Sequence, residues 1–139
     1  MDNSLLINKY ILSFLENSSE VTEILGNDQH KIFPLIQPSS LTYPYIVFSR
    51  SSLNVEYTKD VYIGAGFGWT NTVTVTIKCV SDEYDVALEL ANAVRHTLEG
   101  LSYKDENINI DMITLSSALE YPFDAESFVQ ELIFEVSVE

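Results

Sequence analysis

The ten residues from Asn71 to Val80 read Asn-Thr-Val-Thr-Val-Thr-Ile-Lys-Cys-Val, the most regular alternation in this chain of 139 residues. Apolar side chains occupy every second position: Val73, Val75, Ile77 and Cys79. Alternating β-branched residues are typical of a strand with one buried face and one wetter face. We therefore expect a sheet built around this strand, with Cys79 as a small core side chain.

A helix is predicted directly after this strand, from about Asp82 to Glu99. Ser81 and Asp82 offer oxygens to the free amides of a helix start, and Gly100 ends the pattern. Apolar residues at helical spacing form one stripe: Tyr84, Ala87, Leu88, Ala91, Val94 and Leu98. Polar residues lie opposite: Asp85, Glu89, Asn92, His96 and Glu99. We expect the apolar stripe to pack on the sheet and the polar side to meet water.

The residues before this strand predict a helix and a long hairpin. A helix is expected from about Ser4 to Glu16, followed by a short helical turn at Val21–Leu25. Lys31–Pro38 contains two prolines, which lack the amide donor, so it is predicted as an edge strand or extended segment. Tyr43–Tyr57 alternates and pairs with the Asn71–Val80 strand as a hairpin.

The residues after the central helix predict a second hairpin. Asn107–Leu119 alternates past a bulge, Pro122–Glu126 is a turn, and Phe128–Val138 is a last long strand. The expected fold is α+β: a mainly antiparallel sheet of about four long strands, in two hairpins, with the N-terminal and central helices on one face. We expect a single domain over residues 1–139.

The tip of the first hairpin, at about residues 59–70, is unusually apolar for an exposed loop. Its apolar side chains are Val61, Tyr62, Ile63, Phe67 and Trp69. Such a patch often marks contact with another subunit or protein, and the alternative is a tip folded back over its own sheet.

The chain is strongly acidic, with 21 acidic and 7 basic residues and a formal net charge of -14. So few cations exclude the positive footprint of tight nucleic-acid binding. The charge serves solubility, forms a surface that nucleic acid slides past, or imitates nucleic acid. The N-terminal residues lack a signal-peptide pattern and no apolar run is long enough for a membrane span, so a soluble protein made in the cytoplasm is expected.

Residue patterns for catalysis are weak throughout the chain. Gly64–Gly68 is glycine-rich but lacks the lysine of a phosphate loop, and neither His30 nor His96 has a second ligand at metal-binding spacing. The acidic residues at 82–85 are explained by the helix start. Cys79 faces the expected core, where a thiol is not activated. We expect no catalytic, cofactor or metal site, and no enzyme activity.

The order of elements and several short matches resemble the tail-completion, or tail-terminator, proteins of long-tailed bacteriophages. The matching segments are Lys31–Pro34, Pro44–Phe48, Lys78–Ser81, Ala87–Leu98 with Gly100, and Glu120–Asp124. They span almost the whole chain, but each is short and none is a catalytic signature.

The resemblance implies a virion protein that forms a ring, typically of six copies, at the head-proximal end of the tail tube. Its partners would be its own copies, the tail tube protein and the head connector or stopper. DNA would pass through the ring without being specifically bound. Carboxylates lining that channel would repel DNA, and the candidate acidic face comprises Asp85, Glu89, Glu99, Glu131 and Glu135.

Two other functions remain open at the level of sequence. An acidic protein that mimics DNA and inhibits a DNA-binding protein would concentrate carboxylates in rows on one face. A small ligand-binding module that dimerises through its sheet is supported only by analogy at the level of fold.

Overall fold

The computed structural model describes residues 3–27, 31–35, 42–57 and 69–139. For residues 56, 57, 69 and 70 it describes the backbone alone. The elements, in chain order, are a 3₁₀ turn (Ser4–Leu6), α1 (Ile7–Glu16), α2 (Ser19–Ile24), β1 (Ile32–Pro34), β2 (Tyr45–Tyr57), β3 (Trp69–Ser81), α3 (Tyr84–Leu98), β4 (Tyr103–Lys104), β5 (Asn109–Pro122) and β6 (Phe128–Val138). The α+β class is confirmed.

The described strands form one sheet in the order β1-β2-β3-β6-β5-β4. β3 lies inside the sheet and pairs antiparallel with β2 and β6, so that Val75 has Arg50 on one side and Phe134 on the other. The four long strands and both hairpins are as predicted. The predicted number of strands was too low, because the sheet also has two short edge strands.

The sequence indicated one of the two short strands but not the other. β1 falls in the segment predicted as an edge or extended stretch, and it pairs parallel with β2. β4 was not predicted, since two residues cannot display an alternation; it pairs with Asn109 and Ile110 of β5. β5 also has the predicted irregularity, with register shifts between Ile110 and Met112 and between Leu115 and Ser117.

All three helices contribute to the core on one face of the sheet, which we call the covered face. Ile7, Ile11 and Leu15 of α1 and Val21 of α2 are buried in one cluster with Val75 and the other apolar residues of β3. Cys79 belongs to the same cluster, as predicted. The prediction of helices on one face is therefore confirmed.

The buried stripe of α3 differs from the predicted one. Leu90 and Ala93 are fully buried, whereas Tyr84 and Leu88 are 42% and 39% exposed. The burial of Leu90 and Ala93 has a physical reason, since α3 packs against α2 as well as the sheet, with Thr97 Oγ1 2.8 Å from Ser18 Oγ. A helix that packs against another helix as well as the sheet buries a wider sector of its surface than a helix that packs against the sheet alone.

The ends of α3 follow the expected chemistry with a shift at the start. The helix begins at Tyr84, two residues later than predicted, and the Ser81 hydroxyl accepts a hydrogen bond from the Glu83 amide at 3.1 Å. Gly100 follows the helix with φ of 80°, a conformation that suits glycine.

Candidate functional site

The opposite side of the sheet, which we call the open face, has an apolar cluster to which no described helix contributes. Tyr45, Val80 and Val129 form its buried centre, with half-buried aromatic and apolar side chains around them: Phe33, Tyr43, Val47 and Tyr121. Beyond this cluster the open face consists largely of hydroxyl and charged side chains: Thr72, Thr74, Thr76, Lys78, Glu131, Glu135 and Ser137. It is therefore a broad, mostly polar surface with an aromatic patch at one end.

One carboxylate on the open face is held by two neighbours. Glu131 Oε1 accepts a hydrogen bond from the Tyr121 hydroxyl at 2.9 Å and lies 3.9 Å from Lys78 Nζ. Burial and this carboxylate raise the pKa of Tyr121 to about 12. Burial also raises the pKa of Tyr45 to about 12, with smaller contributions from Tyr43 and Asp124. Both phenols are therefore neutral over the ordinary pH range.

The predicted acidic residues do not lie on one face. Asp85 and Glu89 on α3 and Glu99 directly after it are exposed, whereas Glu131 and Glu135 point to the open face on the other side of the sheet. Glu99 is also paired with Arg95, with a distance of 2.9 Å between Oε2 and Nε. The chain thus presents carboxylates in both directions rather than in a single row.

The predicted contact residues at the hairpin tip lie mostly outside the described part of the chain. Val61, Tyr62, Ile63 and Phe67 are not among the described residues, and only the backbone of Trp69, at the start of β3, is described. The role assigned to these five residues stays a prediction. His30 also lies outside the described residues.

His96 is exposed on α3, as predicted, and it contacts α2. Its Nδ1 lies 3.0 Å from Glu20 Oε1, and both side chains are about half exposed. The sequence did not indicate this contact, because residues 76 positions apart in the chain meet only when α2 packs on α3.

A cleft beside the start of α3 was not predicted from the sequence. We call it the Glu120 cleft; it has a volume of about 350 Å³. Its walls include Tyr84, Glu120, Pro122, Phe128 and Gln130. The only sequence signal was that Tyr84 belongs to the predicted helix stripe and Glu120 to one of the segments that resemble tail-terminator proteins.

A larger groove of about 810 Å³ runs along α1. Tyr103 packs against two rings of α1 in it, with centroid distances of 5.7 Å to Tyr10 and 5.4 Å to Phe14. Asp105 closes the adjacent turn by accepting hydrogen bonds from the amides of Asn107 and Ile108 at 2.7 and 2.9 Å. These amide bonds lower the pKa of Asp105 and give it a structural role.

Side chains that could bind a metal ion are not clustered in the described ranges. No three His, Cys, Asp or Glu side chains described here come together as a metal site. The Cys79 thiol is fully buried, and burial raises its pKa. Among the helices described, none has the length and apolarity required to cross a membrane.

Comparisons with known proteins identify a structural neighbour. No family model and no curated protein matches the chain. A chain in a solved structure of the virion of a native gene transfer agent particle superposes with a TM-score of 0.66. The alignment covers 93% of this chain and 91% of that chain, at 15% sequence identity. The two chains share a fold.

Proposed function

We propose that this protein is a structural component of a phage-like virion that forms a ring at the head-proximal end of the tail tube. There it terminates the tube and joins it to the head connector. The observation that carries this proposal is the fold shared with a chain of a gene transfer agent virion over almost the full length of both chains. The resemblance of the sequence to tail-terminator proteins supports the specific position in the tail.

The edges of the sheet support assembly into a ring. β1 pairs with only three residues of β2, so the outer edge of Ser49–Tyr57 has no partner strand among the described residues. On the other side, β4 pairs with Asn109 and Ile110, while Gly100 and Leu101 bond Ile113. The outer edge of Thr114–Pro122 has no partner strand within the described ranges. Two open edges on opposite sides of one sheet let identical subunits pair head to tail around a closed ring.

The distribution of charge supports a channel that DNA passes without adhering. Carboxylates lie on the open face and on the outer side of α3, and the net charge is -14. Whichever side lines the channel therefore carries negative charge that repels the DNA backbone.

The complete proposal names the partners and the location. The ring is a hexamer, and its other contacts are the tail tube protein on one side and the head connector or stopper on the other. DNA passes through and is not specifically bound, and no membrane is involved. The protein is made in the host cytoplasm and resides in the tail or neck of the virion, with no enzymatic role.

The mass of the purified protein in solution tests this proposal. Light scattering across concentration should reveal a saturating species of about six times 15.7 kDa, and negative-stain images should show rings with a central hole. A protein that stays monomeric or dimeric and binds basic proteins with strong salt dependence would instead support the DNA-mimic function.

A proline at the open edge of β5 provides a sharper version of this test. Ser116 lies at the register shift of β5 and is exposed, so Ser116→Pro should disturb pairing with a neighbouring subunit more than the fold. Ala125→Pro, in the exposed turn between β5 and β6, is the matched control. Loss of the large species in the first variant alone is expected; equal assembly of both folded variants would contradict pairing through this edge.

A further inference from the structure

The Glu120 cleft is built where the β5–β6 hairpin passes the start of α3. Glu120 pairs in register with Gln130, and Pro122 pairs with Phe128, so these four side chains lie on the covered face of the sheet. Tyr84, the first residue of α3, closes the cleft from the helix side. The walls come from a paired hairpin and a helix, and the cleft is therefore preformed.

The carboxylate in this cleft is held in place by two neutral donors. Glu120 Oε2 accepts hydrogen bonds from the Tyr84 hydroxyl at 2.7 Å and from Gln130 Nε2 at 2.8 Å. Gln130 is only 8% exposed, so the second donor is fixed by packing. These two hydrogen bonds, that of Gln130 first, lower the pKa of Glu120 and keep it charged.

No positive charge of the described residues compensates this carboxylate. The ion pairs formed by the described side chains join Lys78 to Glu131, Arg95 to Glu99 and His96 to Glu20. Asp85 adds to the negative field, since it and Glu120 both contribute to raising the pKa of Tyr84, with the Glu120 hydrogen bond the larger cause. The cleft therefore attracts a cation.

Two aromatic rings stand beside the carboxylate. The rings of Tyr84 and Phe128 are 5.7 Å apart at an angle of 86°, and the two residues remain 42% and 37% exposed. An aromatic face next to a carboxylate suits a guanidinium, which stacks on the ring and donates two parallel hydrogen bonds. An ammonium satisfies the charge but cannot stack in this way.

We propose that the Glu120 cleft binds an arginine side chain presented by a partner protein. We take the partner to be a different protein rather than a second copy, because this acidic chain has only two arginines and each already has a contact within its own chain. Arg95 pairs with Glu99, and Arg50 Nη1 donates to the Leu5 carbonyl oxygen at 3.2 Å. A net charge of -14 favours a basic partner surface around that arginine. This contact is not part of the proposed ring function, and the cleft would bind an arginine of any partner with a basic surface.

The cleft is tested by titrating the full-length protein with N-acetyl-arginine methylamide and following backbone amides in TROSY spectra, which report on monomer and ring alike. N-acetyl-citrulline methylamide is the control ligand, because it has nearly the same shape without the charge. We expect saturable, millimolar shifts at Tyr84, Glu120 and Phe128 with the arginine ligand alone. Equal binding of the citrulline ligand would overturn the proposal, since the cleft would then select an uncharged group.

Two variants assign the binding to the named side chains. Glu120→Gln retains an oxygen that accepts from Tyr84 and Gln130, and it should weaken the arginine ligand at least about tenfold through loss of the charged pair. Phe128→Leu should weaken it about two- to fivefold. Glu126→Gln, in the exposed turn, is the control and should leave the affinity unchanged. Unchanged binding to Glu120→Gln would overturn the proposal.

The mass in solution separates a foreign partner from a second copy. If Glu120 held an arginine of a neighbouring subunit, Glu120→Gln would lower the mass measured by light scattering. We expect the mass to be the same as in the unmodified protein, whatever that mass is. A lowered mass would overturn the choice of a foreign partner, and this readout is independent of whether a hexamer forms.

Discussion

The two faces of one strand, β3, show how differently the two sides of this sheet are used. On the covered face Val73, Val75 and Ile77 are fully buried under the helices. On the open face the threonines between them are half-buried and Lys78 is exposed. Side chains one position apart therefore belong to different environments, because successive residues of a strand point to opposite sides. The covered face holds the fold together, and most of the open face is not covered by the described helices.

The covered face should be far more sensitive to truncation than the open face. Phe134→Ala removes a fully buried ring from the core and should cost about 3–5 kcal/mol of unfolding free energy. Glu135→Ala, the next residue on the same strand but on the open face, should change stability by less than about 0.5 kcal/mol. Urea denaturation of both variants measures the difference, and similar losses would show that the open face is also covered.

A buried hydroxyl should also matter more than an exposed one. Ser4 is buried, and its Oγ accepts a hydrogen bond of 2.6 Å from Asn71 Nδ2, which ties the N-terminal 3₁₀ turn to β3. Ser4→Ala should cost about 1–2 kcal/mol, because the Asn71 amide loses a buried partner.

The control for this change lies on the other face. Ser51 is exposed and its hydroxyl bonds Thr76 Oγ1, so that water replaces the lost contact in Ser51→Ala. Its cost should be below about 0.5 kcal/mol. An equal cost for the two serines, measured by urea denaturation, would contradict the assignment of Ser4 to a buried contact.

The aromatic patch should make the open face sensitive to alkaline pH. Tyr121 and Tyr45 have pKa values of about 12 in the folded protein against an ordinary value of 10.0. A raised pKa means that the folded state holds the proton more tightly, so stability is complete below pH 10 and falls as the pH rises from about 10 to about 12. Tyr121→Phe should reduce this fall, measured as unfolding free energy against pH. An absorbance titration of tyrosinate in the folded variant should show one fewer tyrosine that ionises at high pH. An unchanged dependence of the unfolding free energy on pH would assign the effect to other groups.

The smallest effect is expected on the outer side of α3. The exposed pair between Arg95 and Glu99 spans one helical turn, and Glu99→Gln should cost about 0.3–0.5 kcal/mol. High salt should abolish the difference, because exposed charges are screened. Glu106→Gln, an exposed residue outside any described ion pair, is the control for the loss of one negative charge. A loss of several kcal/mol would show that this pair is not an ordinary surface contact.

Local patterns predicted the elements that depend on local chemistry. β3 and β6 follow the alternation of their residues, and α1 follows an apolar spacing along ten residues. The bulges of β5 and the left-handed Gly100 were also indicated, because each reflects the conformational preferences of a short segment.

Sequence patterns within one segment did not predict the structure correctly where it depends on contact with a second segment. The buried sector of α3 includes Leu90 and Ala93 because α2 packs against it, and no spacing within α3 reveals that neighbour. β4 escaped prediction because a two-residue strand exists only through its pairing with β5.

The candidate sites were still less predictable. Tyr84 lies 36 residues before Glu120 in the chain, and it forms a cleft with Glu120 and Phe128 only because β5 and β6 pair beside the start of α3. Of the proposed acidic residues, Glu131 is half-buried and the other four are exposed, and the sheet lies between two groups of them.

The amino-acid sequence by itself determined which segments form the long strands and the helices, which side of β3 is apolar and how strongly the protein is charged. These properties arise from residues that are neighbours in the chain or one helical turn apart. Only the tertiary structure decided the order of the strands, the rotation of α3, the separation of the carboxylates onto two faces and the Glu120 cleft. Each of these depends on distances between residues that the chain brings together only when it folds.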